Sequence, residues 1–243
     1  MTNTALVTMV NEDFVCGFKA MLCSLLEHNT WFDLPIVVLD DGLTNKTKRE
    51  LLERYGQILF KPINRKKYEG TNFEITAPKL RSTYYKLDVF NMTDFKRLVF
   101  IDSDVVILRS IENLFKCTAN FAAVKAYDAG RDLMRRDINS GVFVVNDVNI
   151  NKEVYNDLLK IAKSGHKMPD QTTLNIYFRD ATQFLDKTFN VEKRMLFTQN
   201  FKAILQNMKI LHFVGEKPWQ KKTKQMEEQY MSLEKVWFNY YHE

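Results

Sequence analysis

The sequence predicts an α/β protein with a mainly parallel central sheet flanked by helices. Short apolar strands alternate along the chain with helical segments, a pattern typical of βαβ units. One strand is apolar at every position, as expected of a strand covered on both faces in a parallel sheet. We find no internal repeat and no Gly/Ser-rich linker, so the 243 residues are expected to form one domain.

The first half of the chain is predicted to contain successive strand–helix units. Asp13 and Thr44 are candidate N-caps, because their side chains can accept hydrogen bonds from the first turn of a helix. After a polar loop, a further helix leads to the fully apolar strand. The predicted strands cover residues 5–10, 35–39, 57–60 and 98–101, and the predicted helices cover 14–27, 44–55 and 79–90.

The second half continues the alternation less regularly and ends in a polar, aromatic helix. We assign residues 1–219 to the main domain and 220–243 to a C-terminal helical extension packed on or beside it. The predicted strands cover 105–108, 121–126, 141–145 and 209–214, and the predicted helices cover 151–163, 170–178 and 223–241.

The most informative segment is the fully apolar strand, Leu98–Ile101, which is followed by Asp102-Ser103-Asp104 and then by more apolar residues. Two carboxylates beside a buried strand are costly unless something compensates their charge. A hard divalent cation does this, because it prefers oxygen ligands. Ligands of open α/β sheets also bind outside the carboxyl ends of the strands. The alternative is a polar turn between two strands, with both aspartates solvated or capping.

Composition narrows the class of protein. A net charge of +5 is compatible with an anionic substrate, whereas no zinc-finger spacing or RNA-recognition signature points to nucleic acid. We see no apolar stretch long enough for a transmembrane helix and no signal peptide. The 3 cysteines have no metal-ligand spacing and are expected to be reduced. We therefore expect a cytoplasmic protein, and we leave a homodimer open.

Five segments together resemble the glycogenin-like retaining glycosyltransferases of family 8, which have a GT-A fold. The resemblance covers almost the whole chain up to Trp219 and implies transfer of a hexose from a UDP-sugar to a hydroxyl of a protein or glycan. In order, the segments are Val7–Phe14, Lys86-Leu87, Asp102-Ser103-Asp104, Ile138–Asn146 and Leu211–Trp219. The last segment has one residue fewer between its glycine and its lysine than the family pattern.

The resemblance implies which residues bind the nucleotide diphosphate. Val10, Asn11 and Phe14 correspond to backbone, polar and stacking contacts with the uridine. A lysine one helix before a metal site is also a sensible point charge for a diphosphate. The implied donor-binding residues are Val10, Asn11, Phe14, Arg81, Lys86, Ser103, Ser140, Gly141, Gly215 and Lys217.

The metal and the reacting sugar have their own implied residues. Asp102, Asp104 and His212 would bind the metal, and this O,O,N set favours Mn²⁺ over Ca²⁺ while still admitting Mg²⁺. The resemblance also implies a group of residues beside the donor sugar and the reacting centre. These are Asp128, Asn139, Asp170 and Gln171, of which Asp170 is also a candidate N-cap.

Two alternative functions follow from the same residues. Haloacid-dehalogenase-type phosphohydrolases also carry Asp-x-Asp at the end of an apolar strand, but usually on the first strand of the domain. A catalytically silent nucleotide-sugar-binding module is the other alternative. Nothing in the sequence indicates lost activity, since every metal and phosphate position keeps a chemically competent residue.

Overall fold

The computed structural model describes residues 3–71, 78–164, 170–197, 206–220 and 224–241. Side chains are described for these residues except 78–81, 197 and 224–230. The strands are β1 (Thr4–Val10), β2 (Ile36–Asp40), β3 (Ile58–Pro62), β4 (Arg97–Ile101), β5 (Val105–Ile107), β6 (Phe121–Asp128), β7 (Leu133–Asn146), β8 (Gln183–Leu185), β9 (Val191–Glu192) and β10 (Ile210–His212).

Helices connect most of these strands. The α-helices are α1 (Val15–His28), α2 (Asn45–Tyr55), α3 (Glu112–Phe115), α4 (Lys152–Lys163), α5 (Asp170–Tyr177) and α6 (Lys224–Phe238). The 3₁₀ segments are Glu12–Phe14, Arg65–Tyr68, Pro78–Asn91, Asp147–Asn149, Lys187–Phe189 and Lys193–Phe197.

The central sheet has 7 strands in the order β3-β2-β1-β4-β7-β6-β8. β1 pairs in parallel with β2 and β4, and β2 pairs in parallel with β3. β7 runs antiparallel to both β4 and β6, and β6 is parallel to β8. β7 alone is therefore reversed among these strands, and the mixed sheet confirms the predicted, mainly parallel α/β architecture.

Apolar side chains cover both faces of this sheet. Leu98 and Phe100 of β4 pack into one buried cluster with the Pro78–Asn91 helix, α4 and α5. Val99 and Ile101 point to the opposite cluster, which contains α1. This alternation explains why β4 is apolar at every position, as the sequence predicts for a strand buried on both faces.

A second, 3-stranded sheet lies beyond the carboxyl end of β4. β5 pairs antiparallel with β10, which pairs in parallel with β9. A third apolar cluster joins this sheet to α6 through the fully buried side chain of Trp237. The indole ring of Trp237 lies 5.3 Å from that of Trp219, so the C-terminal helix packs directly behind the loop that precedes it.

Several local predictions can be compared with these elements. Thr44 caps α2 by accepting a hydrogen bond from the Thr47 amide, as predicted. The predicted cap at Asp13 is wrong, because the 3₁₀ turn Glu12–Phe14 carries the chain into α1 without a side-chain cap. β7 begins at Leu133, eight residues before the predicted strand, because its first part pairs with the end of β6.

Within the described ranges, no helix combines the length and the apolar composition that crossing a bilayer requires.

Candidate functional site

The acidic pair lies where the chain passes from the large sheet to the small one. β4 ends at Ile101, and β5 begins at Val105. The Asp102 amide donates to the carbonyl of Gly141 at 2.8 Å, and Ser103 Oγ donates to the carbonyl of Met9 at 2.9 Å. These bonds tie the turn to β7 and β1, so both carboxylates are held at the carboxyl end of the parallel strands.

His212 reaches the same place through strand pairing. It is the last residue of β10 and lies opposite Val105 in the antiparallel pair with β5. Its Nε2 is 3.2 Å from Asp104 Oδ1 and 3.8 Å from Asp102 Oδ2. Ligand atoms of these three residues all lie within 4.8 Å of one another, so residues more than a hundred positions apart converge on one point.

The other side of the imidazole ring is tightly packed. Nδ1 of His212 lies 2.8 Å from Oδ1 of Asn190. A Cβ atom added at Gly141 would lie only 2.4 Å from Cε1 of His212. Gly141, which the resemblance assigned to donor binding, therefore leaves room for the metal-ligand candidate, and its predicted contact with the donor stays a prediction.

Asn139 lies behind the site and is 9% exposed. Its Oδ1 accepts hydrogen bonds from the Gly141 amide at 2.8 Å and from Asn190 Nδ2 at 2.9 Å. Its Nδ2 donates to Glu192 Oε1 at 2.9 Å. The side chain is thus engaged in hydrogen bonds within the protein, and its predicted bonds to sugar hydroxyls stay a prediction.

Lys86 is buried at the centre of the cluster, with a side chain that is 4% exposed. Its Nζ lies 3.0 Å from Asp102 Oδ1, 3.4 Å from Asp170 Oδ2 and 3.3 Å from the Ser140 carbonyl oxygen. Burial disfavours the ammonium, but attraction to Asp102 and Asp170 outweighs it and raises the pKa of Lys86. Lys86 therefore holds two of the predicted carboxylates together, and its predicted contact with phosphate stays a prediction.

Lys217 makes the second ion pair of the cluster. Its Nζ donates to Asp104 Oδ2 and, at 3.0 Å, to the Phe213 carbonyl oxygen. Burial alone would raise the pKa of Asp104, but the Lys217 ammonium and the His212 imidazole hold it well below its usual range. Asp104 consequently stays ionised at neutral pH, as a metal ligand must.

Negative charge exceeds positive charge around the acidic pair. Among the described residues, Asp102, Asp104 and Asp170 contact two ammonium groups, those of Lys86 and Lys217. Burial raises the pKa of Asp102 despite Lys86, and repulsion from Asp104 adds to the rise. A site with unbalanced carboxylates favours a further cation.

A cavity of about 950 Å³ opens above this cluster, within the size range of small-molecule sites. It contains most of the residues that the sequence analysis selected. These are Asn11, Phe14, Lys86, Asp102, Ser103, Asp104, Asn139, Ser140, Asp170, Gln171, His212, Gly215 and Lys217.

Three selected residues do not line the cavity, and the side chain of a fourth, Arg81, lies outside the described residues. Gly141 lies behind His212, as described above. The Val10 carbonyl accepts a hydrogen bond from the Asp41 amide. Asp128 Oδ1 accepts from the Gly130 and Arg131 amides at 3.0 and 3.2 Å, which forms the turn after β6. The predicted sugar contact of Asp128 stays a prediction.

The end of the cavity near β1 is aromatic and polar. Oδ1 of Asn11 is buried and has no hydrogen-bond partner in the described part of the chain. The Phe14 ring packs edge-on against Trp219 at 5.7 Å, and Trp219 Nε1 donates to the Asp13 carbonyl at 2.9 Å. A flat ligand with a hydrogen-bond donor would satisfy the Asn11 oxygen beside these rings.

Sequence reasoning missed several residues of this site. Asn190 and Glu192 lie behind His212, in a segment without any motif that could have indicated them. Trp219 ends the segment Leu211–Trp219, and the resemblance assigns it no role, although it lines the cavity. Asparagine and glutamate in a short connecting segment look like ordinary surface residues, so only the fold reveals their contacts.

The donor set fits a divalent metal ion. Two carboxylates and one imidazole offer two oxygens and one nitrogen, which suits Mn²⁺ better than an all-oxygen cation such as Ca²⁺. His212 and Asp104 are buried, whereas the Asp102 side chain is 22% exposed towards the cavity. Asp102, Asp104 and His212 are thus the residues that could hold such an ion.

The mainly parallel sheet, with an acidic pair at its strand ends beside a large cleft, matches the GT-A type fold of the solved structure compared below. A sequence profile described as glycosyl transferase family 8 matches residues 5–223. The chain belongs to this family of glycosyltransferases. This match leaves the phosphohydrolase alternative without support.

Curated relatives and solved structures agree with this assignment. Glycogenin-1 of Mus musculus is 30% identical over 234 residues, which cover 90% of this chain and 66% of the mouse protein. Glycogenin of Neurospora crassa is 28% identical over 87% of this chain but only 30% of its own length. The chain therefore spans 30% to 66% of the length of these relatives. A crystal structure of the galactosyltransferase LgtC superposes with a TM-score of 0.71 at 17% identity, covering 96% of this chain and 95% of LgtC.

Proposed function

We propose that this chain is a metal-dependent, retaining glycosyltransferase that moves a hexose from a UDP-sugar to a hydroxyl of a protein or glycan. The convergence of Asp102, Asp104 and His212 on the floor of a large cavity carries this proposal. Family membership supplies the reaction class, and the donor set supplies the reason for metal dependence.

Asp102, Asp104 and His212 would bind Mn²⁺, or Mg²⁺ in its place. When bound, the cation would act as a Lewis acid towards the diphosphate of the leaving group. The excess of carboxylates over ammonium groups makes the site attractive to a cation before any donor arrives. Lys86 holds Asp102 in position, since its ammonium contacts both oxygens of that carboxylate.

Lys217 and the loop around Gly215 are proposed to bind the diphosphate. Lys217 Nζ lies on the cavity wall, on a loop whose turn requires the left-handed conformation of Gly215, with φ of 81°. A cationic group at the departing phosphates stabilises the negative charge that develops in the transition state. Asn11 and Phe14, at the β1 end of the same cavity, are proposed to hold the uracil ring.

Asp170 and Gln171 are proposed to face the reacting carbon of the sugar. Both line the cavity at the start of α5, and Asp170 is only 3% exposed. Its carboxylate, paired with Lys86, offers fixed negative charge where positive charge develops on the sugar. Ser82 and Thr83 line the same cavity and offer hydroxyl groups for further contacts with donor or acceptor.

We also propose that residues 1–219 form the transferase domain and that residues 220–243 extend it. The described part of this extension, α6, packs through Trp237 against Trp219 at the rim of the cavity. The acceptor is proposed to be a protein or glycan hydroxyl.

Release of UDP tests the proposal. The purified chain would be incubated with a panel of UDP-sugars, with Mn²⁺ or with EDTA, and UDP, UMP and sugar 1-phosphate would be measured separately. We expect UDP from at least one donor, only with the metal, and none from the Asp104→Asn variant. UMP with sugar 1-phosphate, the products of cleavage between the two phosphates, would indicate a phosphohydrolase, and no turnover of any donor would indicate a silent binding module.

A further inference from the structure

A chain of buried hydrogen bonds lies behind His212, on the side away from the acidic pair. It runs from His212 Nδ1 to Asn190, then to Asn139, and ends at Glu192. Asn190 is 2% exposed and Glu192 is 1% exposed. Buried polar groups of this kind are costly unless their donors and acceptors match, so the direction of each bond can be worked out.

Two hydrogen-bond partners, the Gly141 amide and the Glu192 carboxylate, fix the orientation of the Asn139 side chain. The Gly141 amide can only donate, and it lies 2.8 Å from Asn139 Oδ1. The Glu192 carboxylate accepts from Asn139 Nδ2 at 2.9 Å, and its other oxygen accepts from Arg194 Nε. A flipped Asn139 would place its NH₂ against a backbone N–H and its oxygen against a carboxylate, which would break both bonds.

The orientation of Asn139 in turn determines that of the Asn190 side chain. Since Asn139 Oδ1 is an acceptor, the group of Asn190 that faces it, at 2.9 Å, must be the NH₂. The Asn190 oxygen is left facing His212 Nδ1 at 2.8 Å. An oxygen without a proton accepts only, so Nδ1 of His212 must carry a hydrogen.

We propose that Asn190 is a positioning residue that keeps a proton on Nδ1 of His212 and thereby reserves Nε2 for a cation shared with Asp102 and Asp104. This inference rests on the proposed metal dependence and adds the group that prepares the histidine for it. A histidine ligand whose other ring nitrogen donates to a fixed acceptor is held in the correct tautomer and orientation.

Mn²⁺ affinity without any donor sugar tests the proposal on the whole chain. Free Mn²⁺ would be followed by electron paramagnetic resonance for the wild type, Asn190→Leu and Asn190→Asp. We expect Asn190→Leu to bind roughly 10–100-fold more weakly, the usual effect of losing such a partner. Asn190→Asp still accepts from Nδ1 but loses the donor to Asn139 Oδ1, so it should bind Mn²⁺ more weakly than wild type and more tightly than Asn190→Leu. Asn149→Leu is the control, because the Asn149 side chain donates to the Asn120 carbonyl at the opposite end of the sheet.

A second measurement does not depend on the metal and is made on the wild type, with a variant needed only for assignment. The chain has only 4 histidines, so ¹H–¹⁵N correlation spectra of the metal-free wild type can resolve their ring nitrogens, with His212→Gln used for assignment. We expect a protonated Nδ1 on His212. An imidazole that carries its proton on Nε2 alone would overturn the inference.

The outcomes separate this inference from the proposed function. Wild-type binding of Mn²⁺ that Asn190→Leu retains unchanged would overturn the positioning role and leave the metal site standing. A wild type that does not bind Mn²⁺ would overturn the proposed metal dependence, and the inference with it. Weaker binding by Asn190→Leu, partial rescue by Asn190→Asp and a protonated Nδ1 would together support it.

Discussion

The charged side chains of the site form ion pairs that hold one another in position. Lys86 bridges Asp102 and Asp170, while Lys217 pairs with Asp104 beside His212. The two lysines differ in reach: the Lys86 side chain is 4% exposed and that of Lys217 is 12% exposed. We therefore expect Lys86 to act within the protein and Lys217 to respond to ligand.

Lys217→Ala is expected to weaken binding of UDP or a UDP-sugar by about 1.5–3 kcal/mol, the range for a hydrogen bond to a charged group. Calorimetric titration in the presence of Mn²⁺ measures this directly. Lys116→Ala is a suitable control, because Lys116 is exposed and, within the described part of the chain, pairs with Glu112 on α3 alone. Unchanged affinity in Lys217→Ala would remove the residue from the donor site.

Gly141→Ala is expected to displace the His212 ring, because the added methyl group would lie 2.4 Å from Cε1 and 2.8 Å from Nδ1. Mn²⁺ affinity should fall, while a thermal melt shows whether the fold survives. Gly130→Ala is the matched control, since its Cβ would meet nothing closer than Asp128 Oδ1 at 3.4 Å. If both variants bind Mn²⁺ with wild-type affinity, the close packing of Gly141 against His212 does not contribute to metal binding.

Secondary-structure elements differ in how far the sequence predicted them. β1 to β4 and α2 were anticipated, because apolar periodicity and the Thr44 cap are local signals. β8 and β9 were not, since these segments of three and two residues lie in no continuous apolar run and form strands only when a neighbour offers an edge. Asn190 could not be predicted for the same reason, because its position behind His212 depends on the pairing of β9 with a distant strand, β10.

One buried junction links three elements on the Pro78–Asn91 side of the sheet. Tyr68 and Tyr155 both donate to Asp88 Oδ1 at 2.7 Å, joining the Arg65–Tyr68 turn, the Pro78–Asn91 helix and α4. Burial and the nearby Asp88 charge raise the pKa of Tyr68 far above its usual value. The neutral phenol is therefore the form that the folded state requires.

Tyr68→Phe is expected to lower the free energy of unfolding by about 1.5–3 kcal/mol at neutral pH, because it deletes a bond to a charged acceptor. Above about pH 10 the unfolded tyrosine ionises while folded Tyr68 stays protonated, so the wild type loses this stability as pH rises. Urea unfolding at several pH values should show the two proteins converging in alkali. Curves that stay parallel from pH 7 to 11 would contradict the assignment.

The whole molecule brings distant segments together around one cleft. The order of motifs in the sequence predicted which segments would meet, and the residues that line the cavity agree with most of that selection. Local sequence could not show that Lys86 is buried against Asp170 or that α6 supports the cavity rim, because both depend on long-range packing. Trp237, which is fully buried and packs at a tilt against Trp219, illustrates the second point.

Trp237→Ala is expected to lower the free energy of unfolding by about 3–5 kcal/mol, as for other buried aromatic side chains. Phe238→Ala is the matched control, since Phe238 is the next residue of α6 and is 53% exposed. Its effect should stay near 0.5 kcal/mol or less, roughly the effect of a surface substitution. Equal losses in both variants would show that α6 does not contribute through Trp237.

The central claim is that Asp102, Asp104 and His212 bind one cation together with the diphosphate of the donor. Cation and nucleotide must then strengthen each other's binding by the same factor. The affinity for UDP would be measured by calorimetry with and without Mn²⁺, in the wild type and in His212→Ala. We predict tighter UDP binding with Mn²⁺ in the wild type and loss of that gain in the variant. Equal UDP affinity with and without Mn²⁺ in the wild type would contradict the account.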